Sequence, residues 1–208
     1  MKMNKIRNRL FYSAAANLAV NLLYALYNGI LGCITYSWWL ITVAAYYVIL
    51  SIMRFSAVLC KARNKEKETE YFVMRFSGFM FLALSVVLIG TIYMTVKFDV
   101  GVKYHEIVMI TIATYAFTKI TLAIVKFIKA KKDDSPLITT IRSISFADAA
   151  VSIFSLQRSM LVSFGEMNAN NILILNTSTG IGVCLIVIIL GVNMIIRKDL
   201  KNGKIKNS

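Results

Sequence analysis

Apolar residues form six long runs along the chain, separated by short polar segments. The runs cover residues 10–33, 36–59, 72–96, 107–128, 137–164 and 172–196. A helix crosses a hydrocarbon layer of roughly 30 Å with about 20 mostly apolar residues, and each run reaches that length. The pattern therefore predicts an all-α polytopic membrane protein, a single membrane domain over 1–208 built as a bundle of six transmembrane helices.

The overall composition agrees with this pattern. Of the 208 residues, 58% are hydrophobic and 16% are charged, and the mean hydropathy is +0.66, which is far from the mixture found in water-soluble domains. Six spans and their connections use nearly the whole chain, so no separate soluble domain is expected. A second interpretation of the start of the chain is a lipoprotein-like signal ending at Cys33. The first apolar run is longer than such a signal and contains asparagines, which favours a transmembrane helix.

The distribution of basic residues predicts the orientation, because cytoplasmic connections retain lysine and arginine. The segment before the first span and the second connection hold four basic residues each, the fourth connection holds four when Lys126 at the end of the preceding span is included, and the segment after the last span holds five, whereas the third connection has only Lys97 and Lys103. This alternation predicts three consecutive hairpins with both termini inside, N-in and C-in. The spacing of Arg9, Arg75 and Arg142 also suggests a threefold repeat, although basic residues are expected at these helix ends in any case.

The net charge of +14 points to a membrane surface and not to nucleic acid. The basic residues stand in short runs beside apolar segments, where the anionic headgroups of a lipid bilayer attract them. The three cysteines, Cys33, Cys60 and Cys184, lie far apart in apolar surroundings and form no disulfide or zinc pattern.

Asp148 is the strongest candidate for a functional residue. It lies 11 residues beyond Leu137, about 16 Å along a helix, which is close to the middle of the bilayer. Lys119 is expected at a similar depth on the preceding helix. An unpaired charge in a low-dielectric interior is costly, so we expect Asp148 and Lys119 to form a pair or to share a hydrated cavity. The pair has two interpretations, a structural salt bridge or an ion or proton site.

Polar residues at helical spacing form a stripe on each of three predicted helices. Such stripes could line a shared pathway, or they could form hydrogen bonds that join helices without any conduit. The fifth span, which also contains Arg142, Gln157 and Arg158, is expected to face other helices or water. The stripes comprise Asn17, Asn21, Tyr24 and Asn28 in the first span, Thr111, Thr114, Thr118 and Thr121 in the fourth, and Ser145, Ser152, Ser155 and Ser159 around Asp148.

Two further sets of residues carry structural expectations. Arg54 and Arg75 lie near the basic ends of their spans, where their side chains can extend to the headgroups. Gly180 and Gly182 allow close helix contact or local unwinding in the sixth span. We favour close contact.

Sequence motifs give little support to an enzyme. His105 is the only histidine, and the chain has no nucleophile elbow, phosphate loop or metalloprotease helix. We expect no catalytic, cofactor or metal residues. Two functions remain open: a small ion or solute transporter or channel, with Asp148, Lys119, Ser152, Asn17 and Asn21 as its polar site, and a non-catalytic component that binds or stabilises another membrane protein. A homo-oligomer is compatible with both.

Two stretches of sequence carry a resemblance. One contains Asn21 to Gly29, Trp38-Trp39 and Arg54-Phe55, and the other runs from Ser155 through Gln157-Arg158 and Phe164-Gly165-Glu166 to Gly180. Together they resemble a family of uncharacterised multi-spanning membrane proteins of clostridia-like Gram-positive bacteria. The resemblance implies a location in the cytoplasmic membrane and no particular activity.

Overall fold

Six helices account for almost all of the chain that the structure describes. The computed structural model describes residues 2–36, 38–63, 67–98, 105–129, 135–164 and 168–197. Its helices are α1 (Lys2–Thr35), α2 (Trp38–Ala62), α3 (Lys67–Phe98), α4 (Glu106–Lys129), α5 (Pro136–Phe164) and α6 (Ala169–Ile196). Five of them, all but α4, are long and apolar enough to cross a membrane, and α4 contains a shorter apolar stretch at Met109–Val125. The predicted all-α class is thereby confirmed.

Local sequence explains where several helices begin and end. Pro136 is the first residue of α5, because its fixed φ suits a first helical turn and its missing N–H has no role there. Tyr36 follows α1 with a φ of 51°, a left-handed conformation that stops the helix before α2 begins. The backbone N–H groups of Asn171 and Ile172 donate to the Asn168 carbonyl at the start of α6.

Helix α5 lies at the centre of the bundle and contacts each of the other five helices. The main core joins the inner faces of α2, α3, α5 and α6 through side chains such as Leu50, Phe81, Phe154 and Val187. Helix α1 packs chiefly along α2, and α4 packs chiefly along α5. The charged and polar residues of the fifth span are therefore held mainly by protein, as the sequence predicted.

The packing of α3 does not follow chain order. Its most extensive contact is with α6 and not with α4, so the helices predicted as the second and third hairpins exchange partners in the bundle. Large apolar side chains, including Leu23, Phe79, Val86 and Ile189, point outward and are exposed. An apolar outer surface of this kind fits a lipid environment.

Two glycines permit the close crossing of α3 and α6. A Cβ added at Gly78 would lie 2.9 Å from the carbonyl oxygen of Gly191, and one added at Gly191 would lie 3.0 Å from the carbonyl oxygen of Gly78. Backbone atoms cannot move aside as a flexible side chain can, so any larger residue must push the helices apart. Gly180 also sits in close contact, against Ile92 and Phe154, whereas Gly182 faces open space. Close contact is thus confirmed for Gly180 only.

We predict that Gly78→Ala and Gly191→Ala each destabilise the protein by about 1–3 kcal/mol, the usual cost of overpacking. The matched controls are Gly90→Ala in α3 and Gly182→Ala in α6, because a Cβ at either position meets no atom within 4 Å. Thermal unfolding of the detergent-purified variants measures the effect. Equal unfolding temperatures for the crossing and control variants would contradict this account of the crossing.

Candidate functional site

A buried ion pair joins α2 to α5 in the interior of the bundle. The Arg54 Nη2 donates to Asp148 Oδ2 at 2.7 Å, and the Tyr46 hydroxyl donates a longer hydrogen bond of 3.5 Å to Asp148 Oδ1. Arg54 is 2% exposed and Asp148 is 4% exposed. Both carboxylate oxygens therefore have a donor, and the charge of Asp148 is balanced within the protein.

The position of Arg54 differs from the sequence prediction. Its side chain was expected to reach the headgroups from the end of its span, yet it is buried and extends to the carboxylate of Asp148. Tyr46 and Arg54 lie on the same α2 face, two helical turns apart, so their side chains converge on one α5 residue between them. Arg75 on α3 is exposed, as expected. The prediction for Arg54 was wrong because a buried counter-charge on another helix cannot be read from its local sequence.

Asp148 lies near the middle of its helix. It follows the first residue of α5, Pro136, by roughly 18 Å at the α-helical rise, and it is at the centre of the apolar span Pro136–Leu161. The predicted depth of this carboxylate agrees with the helix bounds. Lys119 lies in α4, but its side chain is outside the described part of the chain, and its pairing with Asp148 stays a prediction.

Other polar groups are buried at a similar depth on neighbouring helices. The Asn21 Nδ2, the Ser77 Oγ and the Ser145 Oγ are all enclosed, and none has a hydrogen-bond partner among the described residues. The same is true of Nε and Nη1 of Arg54. We call Asn21, Arg54, Ser77, Ser145 and Asp148, which come from four helices, the polar layer.

Contacts between helices indicate the depth of these residues. In the antiparallel α1–α2 pair, Tyr24 stacks on Tyr47 with ring centroids 5.4 Å apart, and the same register places Asn21 opposite Leu50, about one helical turn along α2 from Arg54. Helices α3 and α5 begin side by side, where the Ser135 hydroxyl donates to Glu70 at 2.9 Å. From that contact Ser77 is roughly 10 Å and Ser145 roughly 15 Å along their parallel helices.

The three polar stripes do not converge as one pathway. On α4, Thr111, Thr114, Thr118 and Thr121 are exposed, and each hydroxyl donates to the carbonyl four residues before it at 2.8–2.9 Å. The α4 stripe therefore faces away from the bundle, and neither alternative, a shared pathway or hydrogen bonds to another helix, describes these four hydroxyls in the structure. Hydroxyls satisfied by their own helix can face lipid at little cost, so an outward orientation is physically acceptable.

The α1 and α5 stripes contribute in part. Asn21 is fully buried, Asn17 and Asn28 are half-buried, and Tyr24 is exposed. On α5, Ser145 is buried and Ser155 is exposed, while the half-buried Ser152 donates to the backbone carbonyl of Asp148 at 2.7 Å. Of the predicted site residues, the structure brings Asp148 and Asn21 to the polar layer and leaves Asn17 and Ser152 at its margin.

The chemistry of the polar layer is that of hydrogen-bond donation. A guanidinium presents only donors, and serine hydroxyls and an amide nitrogen can also donate. In the described part of the chain, no group of three His, Cys, Asp or Glu side chains is arranged to hold a metal ion. Sequence reasoning missed Arg54 and Ser77, although an arginine within an apolar span was a signal that could have identified the first.

Comparisons with known proteins add no relative to this picture. No family model, curated protein or solved structure matches the chain. Functional inference therefore rests on the residues of the polar layer.

Mutational coupling tests the ion pair. We predict that Asp148→Leu and Arg54→Met each destabilise the protein by about 3–5 kcal/mol, because each leaves an uncompensated buried charge, and that the double variant loses much less than the sum. Arg75→Met is the matched control, since it removes an exposed arginine from a span. Additive losses in the double variant, measured by unfolding in detergent, would show that the two side chains do not interact.

Proposed function

We propose that the chain is a six-span protein of the bacterial cytoplasmic membrane, with both termini inside, that passes a small ion or solute through the polar layer. The observation that carries this proposal is the set of enclosed donors around the Arg54–Asp148 pair that have no partner among the described residues. Buried polar atoms in proteins nearly always have a partner, so donors left free in an apolar interior indicate a place for water or a small ligand. A purely structural salt bridge requires no such surplus.

The position of the polar layer supports the same proposal. Asp148 lies at the centre of an apolar span, where ionisable residues commonly mark ion and substrate pathways. The layer also draws on α1, α2, α3 and α5, so a small shift between these helices would change the access to it. Packing of α1 chiefly against α2 and of α4 chiefly against α5 leaves two outer helices that can move without breaking the main core.

A second candidate function is that of a non-catalytic component that binds another membrane protein or a second copy of itself. The outward threonine stripe of α4 favours it, because a face rich in small polar residues suits helix–helix association in membranes. The ion pair would then serve only to fix the register of α2 against α5. The two functions differ in whether material crosses the membrane through the polar layer.

The proposed orientation predicts which side of the membrane each connection faces. In a variant without native cysteines, a cysteine placed at Tyr36, which is 89% exposed after α1, should react with a membrane-impermeant maleimide in intact bacterial cells. A cysteine at Arg63, exposed after α2, is the matched control and should react only after permeabilisation. The reverse pattern, or equal labelling at both sites, would contradict the proposed topology.

Flux measurements with matched serine variants test transport. Proteoliposomes containing the purified protein should pass at least one of H⁺, K⁺, Na⁺ or Cl⁻ faster than empty liposomes. Ser145→Leu fills the polar layer and should reduce that flux by about tenfold or more, which corresponds to a barrier increase of about 1.4 kcal/mol. Ser155→Leu, the same change on the exposed side of α5, should leave it unchanged.

Two results would contradict the transport proposal. The first is equal flux in the Ser145→Leu and Ser155→Leu proteins, with both variants monodisperse and equally stable. The second is a parent protein that passes none of the four ions. If the parent protein shows no ion flux and a membrane protein co-purifies with it in a stoichiometric amount, the second candidate function is supported.

A further inference from the structure

The buried groups around Arg54 that have no partner among the described residues are hydrogen-bond donors, and this bears on which solute the polar layer would accept. Arg54 uses Nη2 for Asp148, while its Nε and Nη1 are enclosed and have no partner among the described residues. The Ser77 and Ser145 hydroxyls and the Asn21 amide nitrogen are likewise enclosed without a described partner. All of these atoms can donate a hydrogen bond.

The only carboxylate of the layer is already occupied. Asp148 Oδ2 accepts from Arg54 at 2.7 Å and Oδ1 accepts a longer hydrogen bond from Tyr46, so the negative charge of the carboxylate is already balanced by Arg54 and a cation would have to compete for it. A cation near the layer would also meet the guanidinium of Arg54, which carries the same charge. An anion would meet donors and a positive group, the combination that stabilises negative charge in a low-dielectric interior.

The sequence of the spans adds a broader electrostatic preference. Besides Lys126, which is counted with the fourth connection, the predicted spans contain only one carboxylate, Asp148, but five basic residues, Arg54, Arg75, Lys119, Arg142 and Arg158. Arg158, on the same helix as Asp148, is buried. Among the described residues the buried charges are thus two arginines and one carboxylate, and their net positive field favours an anion at the polar layer over a cation.

We propose that the polar layer is a binding site for a small inorganic anion of the halide or nitrate class, held by Nε and Nη1 of Arg54 with the hydroxyls of Ser77 and Ser145. The role of this anion as a transported substrate rests on the transport function proposed above. Its binding to the protein can be measured separately. Asp148 positions the guanidinium and limits its affinity, because the carboxylate is a tethered competitor for the same positive group.

Because Asp148 competes with the anion for Arg54, a substitution of Asp148 should change the affinity for an anion and for a cation in opposite directions. Replacing Asp148 with asparagine removes the competing charge and leaves only a neutral amide oxygen as acceptor for Nη2 of Arg54, so an anion that takes over this charge-assisted contact should bind about tenfold more tightly. A cation site that depended on the carboxylate would lose its ligand in the same variant. The sign of the change therefore identifies the class of ion.

Line broadening of ³⁵Cl in nuclear magnetic resonance of the purified, full-length protein provides the test. Sodium chloride is titrated against sodium gluconate at constant ionic strength, which isolates specific chloride binding from attraction to the basic surface. The parent should show saturable broadening that nitrate displaces, Asp148→Asn should saturate at about tenfold lower chloride, and Arg54→Gln should abolish the saturable part. Ser145→Ala, a small change, should weaken binding about threefold, the effect of one neutral hydrogen bond. Arg75→Gln, which removes an exposed arginine, is the control and should behave as the parent.

The possible outcomes separate this inference from the transport proposal. Saturable broadening that follows the predicted order of variants supports the anion site, even if proteoliposomes show no flux and transport fails. Flux of cations without saturable chloride binding supports transport and overturns the anion site. Broadening that is unchanged in both Arg54→Gln and Ser145→Ala also overturns it, because chloride would then be bound elsewhere.

Discussion

The cost of burying a guanidinium in an apolar interior is the constraint on which the rest of this structure depends. Arg54 is almost completely enclosed, and such a charge is tolerated only when a counter-charge lies within reach. Asp148 meets this requirement across the α2–α5 interface at 2.7 Å. The pair joins α2 to α5 in the interior, and α5 also contacts the other four helices.

Close packing elsewhere keeps the pair enclosed. The crossing of α3 and α6 at Gly78 and Gly191 brings two backbones together, and the apolar side chains of α2, α3, α5 and α6 fill the space between the crossing and the ion pair. The atoms of the polar layer that have no partner among the described residues are thus surrounded by protein and are not at its surface.

The sequence predicted the positions of the helices far better than it predicted which face of each helix is buried. Long apolar runs and Pro136 gave the class and approximate helix bounds, since spanning length and first-turn chemistry are local properties. The depth of Asp148 followed from the helical rise alone. Its partner did not, because Arg54 is distant along the chain and the α2–α5 contact is set by the whole bundle. The α4 threonines had the same spacing as a buried stripe, yet they face outward, which costs little because each hydroxyl is satisfied by its own helix.

Anomalous diffraction from crystals grown in bromide is the measurement that tests the arrangement around Arg54 most directly. The account predicts the Arg54–Asp148 contact at hydrogen-bonding distance and a bromide peak within about 3.5 Å of Nε or Nη1 of Arg54, the distance expected for a charge-assisted contact to a large halide. An Arg54 side chain that extends to the headgroup region, or a buried Arg54 with bromide peaks only at the basic ends of the helices, would contradict it.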